Sequence, residues 1–300
     1  MGISRDCVKL LIQEALRRPF EGRILTLGKQ DVFIHETELK KIADEFQFNL
    51  FPCKEIDPLA HKLNARKNGF ISDKFLLSSL GFSEVRSLDY SNYENADYLF
   101  DLNQPQPLLH LVDSFDFILD GGTLEHVFHL PNALTNIFEM VRTNGRIFHV
   151  APSSNHIDHG FYMFSPTLFW DFYHANNFDI NRFQLLRHKP SKAAPTTVYS
   201  YKSGCLNNVS YGGLDNAMYA IHCVVTKTSQ SSSDAIFQQF DYQHHLWRID
   251  NDSQVKTDQT LVNNVKDKIK KNPFMYKILL SFVSFFRARK RLKIKPFARY

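Results

Sequence analysis

Cysteine is scarce in this 300-residue chain, and the few cysteines are not spaced for structural chemistry. The four thiols belong to Cys7, Cys53, Cys205 and Cys223, which lie far apart and form no CxxC pair. This spacing argues against a zinc ribbon and against a disulfide framework. It is typical of a protein of the reducing cytoplasm, which is where we expect this one to act.

Long apolar runs are missing as well. No segment approaches the ~20 consecutive apolar residues that a membrane-spanning helix needs. Residues 1–20 mix charged with apolar side chains, whereas a signal peptide has an uninterrupted apolar centre. We therefore expect a soluble cytoplasmic protein, or at most one bound peripherally at the inner face of the membrane.

Glycine-rich motifs that cradle phosphate groups are absent too. The chain contains no GxxxxGKS/T sequence, and its first glycine turn, Gly28-Lys29-Gln30-Asp31, does not match GxGxxG. The first absence argues against a P-loop phosphate site. The second disfavours an NAD-dependent oxidoreductase.

Charge is divided unevenly between the body of the chain and its end. Residues 261–300 contain 12 Lys or Arg and one acid, Asp267, whereas the preceding 260 residues contain 24 basic and 30 acidic residues. The main domain is therefore mildly acidic, and we expect it not to bind nucleic acid. With 43% hydrophobic residues and 27 Phe, the chain can form a sizeable core.

Short apolar segments alternate with helical patterns along most of the chain. The predicted strands are 23–27, 84–88, 97–100, 115–119, 146–150, 178–186 and 220–226. The predicted helices are 4–18, 37–46, 72–80, 131–142 and 166–176. This alternation favours a mainly parallel sheet that is covered by helices on both faces.

Glycine and acidic residues follow the predicted strands, where an open parallel sheet binds its ligands. Gly28 follows the first strand and permits a ligand to approach the backbone closely. Asp89 ends the second strand, where a carboxylate can accept the hydroxyls of a ribose. Asp101 ends the third strand, where it could accept the amino group of an adenine. The pattern predicts a site for a nucleoside without a pyrophosphate.

The segment FDFILDGGTLEHV at 115–127 resembles the fourth-strand motif of class I S-adenosylmethionine-dependent methyltransferases. Residues 132–150, with the turn VRTNGR, are similar to that family's next helix, turn and fifth strand. The resemblance covers 84–178 well, is weaker over 23–28 and does not extend beyond 228. It implies the α/β, Rossmann-like class I methyltransferase fold, with a mainly parallel seven-stranded sheet and helices on both faces.

The resemblance also implies S-adenosyl-L-methionine as cofactor, with Asp89 on the ribose and Asp101 on the adenine. The implied cofactor-binding residues are Gly28, Asp89, Asp101, Leu102, Asp120 and Gly121. The first motif departs from the family's pattern of an acid followed by spaced glycines, because Thr26 replaces the acid and Gln30 and Val32 stand at glycine positions. An insertion at about 29–70 separates this motif from the second strand.

The loop SSNHIDHGFY at 153–162, after the fifth strand, offers the best candidates for chemistry on a substrate. A histidine beside a carboxylate can accept a proton from a substrate hydroxyl or amine. The candidate catalytic residues are His156, Asp158, His159 and Tyr162. Two histidines and an aspartate could also ligate a metal, and a plain solvated loop is an alternative; we assign no metal. Glu125-His126 is expected nearby, either in the site or as structural residues.

The basic end of the chain predicts an amphipathic helix. Asn272-Pro273 is a typical helix start, large apolar residues follow to Phe286, and a run of basic residues occupies 287–295. Such a helix could bind an anionic membrane surface through 272–299, or it could pack on the domain. We divide the chain into a methyltransferase-like domain at 1–228, a linker or extension at 229–260 and a basic amphipathic tail at 261–300.

Two functions of different classes agree with these features. The first is an S-adenosylmethionine-dependent methyltransferase that acts on a small molecule, for example a sugar or glycan precursor, with His159 or His156 as general base. The second is a non-catalytic methyltransferase-like binding or scaffold protein at the membrane surface. The substituted first motif favours the second function, whereas the retained Asp89, Asp101 and Asp120 oppose it.

Overall fold

The computed structural model of this protein describes residues 2–189, 195–210, 212–239 and 296–299. Its strands are β1 (Gly2–Ile3), β2 (Arg23–Leu27), β3 (Asp31–Val32), β4 (Glu84–Asp89), β5 (Tyr98–Leu99), β6 (Phe115–Asp120), β7 (Val141–Pro152), β8 (Asp179–His188), β9 (Thr197–Ser200), β10 (Met218–Thr226) and β11 (Pro296–Arg299). Its helices are α1 (Arg5–Arg17), α2 (Glu36–Glu45), α3 (Leu63–Lys67), α4 (Asp73–Ser79), α5 (Leu130–Met140) and α6 (Pro166–Ala175).

Local sequence accounts for the starts of several helices. Ser4 caps α1 by accepting a hydrogen bond from the backbone N–H of Cys7, and Ser72 caps α4 in the same way from Phe75. Pro166 begins α6, where a missing N–H has no cost. The five helices predicted between residues 4 and 176 are all present, with ends that differ from the prediction by no more than two residues. The amphipathic helix predicted from Asn272 lies outside the described residues.

Nine of the strands form one sheet, in the order β11-β9-β8-β10-β7-β6-β2-β4-β5. From β2 the chain first adds β4 and β5 on one side and then β6 and β7 on the other, and these pairings are all parallel. Only β10 and β9 point the opposite way among these nine, because each is antiparallel to both of its neighbours. The sheet is therefore mainly parallel in strand direction.

This topology confirms the predicted fold class. Counted in chain order, the seven adjacent strands from β5 to β8 run 3-2-1-4-5-7-6, with the seventh reversed, which is the class I methyltransferase fold. The sheet is wider than predicted, because β9 and β11 extend it beyond β8. These two four-residue segments are too short to show a clear alternation in the sequence.

Apolar residues form one large cluster on each face of the sheet. One cluster joins α5 and α6 to side chains of the central strands such as Leu25 and Ile118. The other joins α1, α2 and α4 to the alternate side chains of the same strands, such as Ile24 and Phe117. Because successive strand residues point to opposite faces, helices on both sides are buried against one sheet.

Parts of the predicted insertion, linker and tail are described by the structure. The insertion at 29–70 contains β3, α2 and α3. The start of the predicted linker packs on the end of α6, since the backbone N–H of Ser232 donates to Asn176 O at 3.0 Å. The last strand of the sheet, β11, comes from the predicted tail, whereas residues 240–295 lie outside the described part of the chain.

Among the described residues, no helix has the length and apolar character to cross a bilayer.

Candidate active site

A cleft of about 350 Å³ lies at the carboxyl ends of β2, β4 and β5, where the strand order reverses. Four of the predicted cofactor-binding residues line it, namely Gly28, Asp89, Asp101 and Leu102. The other lining residues are Leu88, Tyr90, Phe100, Asn103, Thr123, His126 and Val127. The volume is within the ~300–1,000 Å³ that small-molecule sites usually have.

Gly28 ends β2 in a turn that favours glycine. Its φ of 72° lies in the left-handed region, where a side chain is strained. The Gly28 N–H donates to the carbonyl oxygen of Leu88 at 2.7 Å, so the ends of β2 and β4 are joined. The turn therefore presents bare backbone to the cleft, as a closely bound ligand requires.

The carboxylate of Asp89 is half-buried at the end of β4 and lines the cleft. Its Oδ1 accepts a long hydrogen bond from the Ser91 N–H at 3.4 Å. Its Oδ2 has no hydrogen-bond partner among the residues that the structure describes. The Phe100 N–H donates to the Asp89 carbonyl oxygen at 2.9 Å and holds the residue in place. One carboxylate oxygen is thus available to a ligand hydroxyl.

Asp101 is held by the turn that follows β5. Its Oδ1 accepts hydrogen bonds from the backbone N–H of Asn103 at 2.9 Å and from the Asn103 amide at 2.7 Å. Asn103 Oδ1 accepts in turn from the His129 N–H at 2.9 Å, which braces this turn against the start of α5. The other oxygen of Asp101 is therefore left to accept a hydrogen bond from an amino group. The neighbouring Leu102, which is buried, adds an apolar wall to the cleft.

Asp120 was also predicted to bind the cofactor, but it lies beneath the cleft and does not line it. Its side chain is fully buried. Oδ1 accepts from the Thr123 N–H at 2.9 Å, and Oδ2 lies 2.8 Å from Nδ1 of His149. With both oxygens engaged, Asp120 shapes the turn after β6 from inside the domain.

A buried tyrosine completes the same network. Tyr173 Oη lies 2.6 Å from Nε2 of His149. Burial, together with the nearby Cys223 and Asp120, raises the pKa of Tyr173 well above its ordinary value. The hydroxyl of Tyr173 therefore stays protonated and donates a hydrogen bond to Nε2 of His149. The N–H at Nδ1 of His149 then donates a hydrogen bond to Asp120.

Gln30 occupies the space beside the first glycine turn. Its side chain is buried, and its Nε2 donates to the carbonyl oxygens of Leu27 at 2.8 Å and Gly28 at 3.2 Å. Its Oε1 has no hydrogen-bond partner and lies so near Gly121 that a Cβ there would be 2.6 Å away. The substituted first motif therefore fills the gap between the ends of β2 and β6, whereas the part of the cleft beside Asp89 stays open.

Glu125, His126 and His159 meet at the edge of the cleft. The first two lie on the short helical turn Leu124–His126, and His159 comes from the loop after β7. Glu125 Oε1 lies 3.5 Å from Nε2 of His159 and 3.8 Å from Nε2 of His126. Because His126 also lines the cleft, this triad and the cleft form one continuous site.

The triad combines a buried acid with exposed imidazoles. Glu125 is only 1% exposed, and its Oε2 has no hydrogen-bond partner in the described structure. Burial, and then the charge of Asp120, raise the pKa of Glu125 to about 7. Burial and the neighbouring His159 lower the pKa values of His126 and of His156. Near neutral pH these groups therefore carry less charge than they would in water.

The loop after β7 folds back onto the triad. The N–H groups of Phe161 and Tyr162 donate to the carbonyl oxygen of Glu125 at 2.7 and 3.2 Å. The hydroxyl of Tyr162 donates to the carbonyl oxygen of Phe128 at 2.7 Å. Tyr162, predicted to orient a substrate, therefore holds the loop in place through both its backbone and its hydroxyl.

The structure gives His159 a different acidic neighbour from the one that the loop sequence suggested. Asp158 is exposed at a φ of 64° and makes no hydrogen bond or ion pair with any described residue. The carboxylate beside His159 is Glu125. His156 lies next to the triad, with its ring 5.9 Å from that of His159, and its Nε2 is buried without a hydrogen-bond partner.

Tyr90 and Thr123 line the cleft but were not among the predicted site residues. Tyr90 is 77% exposed beside Asp89, where its ring could cover a bound base. Thr123 donates from its hydroxyl to the carbonyl oxygen of Leu27 at 2.5 Å, which joins the ends of β6 and β2. An aromatic residue directly after the acid that ends a strand was a readable signal for Tyr90. Thr123 had none, because its partner is distant in the chain.

A larger cavity, of about 580 Å³, lies away from these groups. It is formed by the start of α6 and the segment that follows β9, with Ser165, Tyr201 and Asn207 among its lining residues. It contains none of the predicted site residues. The smaller cleft is the better candidate for the active site, because it is placed at the strand ends and contains the free carboxylates.

Comparison with known proteins gives similarity at the level of solved structures. No protein-family model and no curated protein matches the chain. A Thermotoga maritima S-adenosylmethionine-dependent methyltransferase, a possible histamine N-methyltransferase, is 14% identical over 75% of this chain and 91% of its own, with a TM-score of 0.36. The YcgJ protein of Bacillus subtilis is 13% identical over 74% of this chain and 98% of its own, with a TM-score of 0.38.

A third similar structure is phosphoethanolamine N-methyltransferase 2 of Haemonchus contortus, solved with S-adenosylhomocysteine and phosphomonomethylethanolamine. It is 10% identical, with a TM-score of 0.36, and the match spans 74% of this chain but only 53% of the nematode enzyme. These scores are low, so the fold assignment rests on the strand order itself. By that order, with β10 reversed between β7 and β8, the described residues have the class I methyltransferase fold.

Proposed function

We propose that this protein is an S-adenosylmethionine-dependent methyltransferase. The observation that carries the proposal is the cleft in which Asp89 and Asp101, at the ends of neighbouring strands, stand beside the bare backbone of Gly28. A phosphate-free nucleoside needs these three features: acceptors for ribose hydroxyls, an acceptor for an amino group, and close backbone approach.

Each side of the cleft has its own part in binding. The free oxygen of Asp89 accepts the ribose hydroxyls, and the free oxygen of Asp101 accepts the adenine amino group. Phe100, Leu102 and Val127 supply apolar contact with the base. When bound, the cofactor supplies an electrophilic methyl group. The chain's own contribution is to hold the reacting groups in line, which accounts for much of the acceleration of a two-substrate reaction.

The methyl acceptor would sit beside the triad of Glu125, His126 and His159. An acceptor hydroxyl or amine loses a proton as it is methylated, and His159, whose Nε2 lies 3.5 Å from Glu125 Oε1, would take that proton. Polar groups at the edge of the cleft favour a small polar acceptor. Sugars and glycan precursors, which present many hydroxyls, are the first class to test.

Gln30 favours a second function, that of a non-catalytic methyltransferase-like binding or scaffold protein. Its buried side chain fills the space between Gly28 and Gly121. A binding protein for simple nucleosides, which have no amino-acid part, would tolerate the Gln30 side chain in this space. A methyltransferase must instead place the methionine part of its cofactor elsewhere along the cleft. The retained acids at the strand ends favour the enzyme.

Calorimetric titration of the full chain with S-adenosylhomocysteine separates the two functions. The enzyme should bind it, and Asp89→Ala should weaken binding by about 1.5–3 kcal/mol, the usual value of a hydrogen bond to a charged group. Asp179→Ala removes an exposed acid at the start of β8, far along the sheet from the cleft, and serves as the matched control. Absence of binding to a folded sample, or equal loss in both variants, would contradict the proposal.

A further inference from the structure

We infer that Glu125, His126 and His159 form a binding site for one divalent transition-metal ion. Two imidazole nitrogens and one carboxylate face each other, and the three donor atoms all lie within 4.8 Å of one another. Two histidines and a glutamate are a donor set that catalytic zinc sites use, and two histidines with one carboxylate also suit iron(II).

The distances are close to those that a bound ion would impose. With metal–ligand distances of about 2.1 Å, two ligand atoms of a tetrahedral site lie about 3.4 Å apart. Glu125 Oε1 is already 3.5 Å from His159 Nε2 and 3.8 Å from His126 Nε2. Both imidazoles are more than two-fifths exposed, so small ring rotations can bring their nitrogens onto an ion.

The buried acid is an independent sign of a ligand. Glu125 is 1% exposed, and its Oε2 has no hydrogen-bond partner in the described structure. A carboxylate oxygen is costly to bury unpaired, and such groups are usually paired or coordinate a metal. The pairs that Glu125 makes with the two imidazoles are longer than hydrogen bonds, which leaves the carboxylate available to a cation between them.

The surrounding backbone holds the triad rigidly. The Phe161 and Tyr162 N–H groups donate to the Glu125 carbonyl oxygen, and Asp120 fixes the preceding turn through the N–H groups of Thr123 and Leu124. Gly160 lies so close that a Cβ there would be 2.7 Å from the same carbonyl oxygen. A preformed ligand set of this kind binds an ion without having to order a loop.

Three protein ligands leave at least one coordination position open, and His126 brings the ion to the edge of the cleft. A hydroxyl or water bound there would lose its proton near neutral pH, as zinc-bound water does at a pKa of about 7. Two imidazoles favour Zn²⁺, Co²⁺ or Fe²⁺ over Mg²⁺, Ca²⁺ or Mn²⁺, which prefer oxygen ligands. The ion site rests on the triad alone and does not require the proposed methyl transfer. With an ion bound, His159 Nε2 would be a ligand, and the ion-bound hydroxyl would take the acceptor proton in its place.

Titration of the chelator-treated full chain with Zn²⁺, and with Co²⁺ followed by its visible absorption, tests the site. We expect one saturable ion per chain and a Co²⁺ spectrum with nitrogen and oxygen ligands. Because loss of an outer partner alone lowers affinity by about 10–100-fold, His126→Ala and His159→Ala should each weaken binding by at least about 100-fold. Glu125→Gln, which keeps the shape of the side chain, should do the same.

His61→Ala, at an exposed histidine outside the triad, is the matched control and should leave affinity unchanged. Circular dichroism identifies any variant that fails to fold. If Glu125→Gln does not fold, the variants of the two exposed histidines, His126→Ala and His159→Ala, decide the result. The inference is wrong if no ion binds saturably, or if the variants bind as the unmodified chain does. Calorimetry with S-adenosylhomocysteine is a separate measurement, so failure of the ion site and failure of the proposed function can be told apart.

Discussion

Asp120 and His149 are paired across β6 and β7, with Oδ2 of the acid 2.8 Å from Nδ1 of the imidazole and both side chains fully buried. The pair lies directly under the turn that carries Glu125 and His126. Since Asp120 also accepts the Thr123 N–H, the geometry of that turn depends on a residue that does not line the cleft. This arrangement separates residues that bind a ligand from residues that position them.

Asp120→Ala is expected to destabilise the fold by about 3–5 kcal/mol, because it leaves a buried imidazole without its partner. Asp120→Asn keeps one acceptor oxygen and should cost less. Urea unfolding measures both losses. In a double-mutant cycle with His149→Phe, the combined loss should be smaller than the sum of the single losses. A loss of ligand affinity at unchanged stability would instead show that Asp120 binds the cofactor directly.

Gln30→Ala is expected to increase affinity for S-adenosylhomocysteine relative to adenosine. The substitution empties the space between Gly28 and Gly121, which only the amino-acid part of the longer ligand can use. It should also cost about 1–3 kcal/mol of stability, because two hydrogen bonds of a buried amide are lost. Calorimetry with the two ligands provides the comparison, and a parallel change in both affinities would contradict this reason.

His159→Ala is expected to lower kcat by roughly 100-fold or more once an acceptor is known, with cofactor affinity nearly unchanged. Asp158→Ala should cost much less, because Asp158 is exposed and has no contact with the imidazoles in the described structure. Steady-state kinetics on both variants measures the difference. Equal losses in kcat would show that Asp158 reaches the substrate in the working complex.

His222 is expected to make the fold sensitive to mild acid. Its ring is fully buried against Phe148, its Nδ1 donates to the His149 carbonyl oxygen, and burial lowers its pKa to about 3. In the unfolded chain it binds a proton below about 6.5, so stability falls by about 1.4 kcal/mol per pH unit as pH drops from 6.5 towards 3.

The matched variant is His222→Gln, which can keep the donor but cannot titrate. Urea unfolding measures the free energy of unfolding at pH 7.5 and at pH 5.0. Between these pH values, the native chain should lose about 2 kcal/mol more of this free energy than the variant does. An identical pH dependence in the two proteins would mean that His222 stays neutral in the unfolded chain or that its proton is accommodated in the folded one.

The basic run at 287–295 is expected to bring the protein to anionic membranes, and it lies outside the described residues. Replacing its arginines and lysines by glutamine should abolish sedimentation with anionic vesicles at low salt, where exposed charges act over more than about 10 Å. Charge replacement is preferable to truncation, since truncation would also remove β11 and expose the edge of β9. Sedimentation of the charge-replaced variant with the vesicles would contradict the idea.

Much of the fold could be predicted because its signals are local. Ser4, Ser72 and Pro166 mark helix starts within three residues of the groups they serve, and the alternating helix and strand patterns indicate a parallel sheet. Gly28, Asp89 and Asp101 were predicted by one further rule, that ligands bind beyond the carboxyl ends of parallel strands. These predictions depend on neighbours in sequence and on the fold class, not on exact packing.

The α/β fold class and the strand ends that form the cleft could therefore be predicted from local patterns in the chain. Which side chains meet at the cleft became clear from the folded structure alone. Asp120 turns inward because His149, on the adjacent strand, is its register partner. Glu125 rather than Asp158 faces His159, because the loop after β7 folds back onto the turn after β6. Such pairs join residues distant in the chain, so their contacts follow from strand order and side-chain direction, which no local pattern encodes.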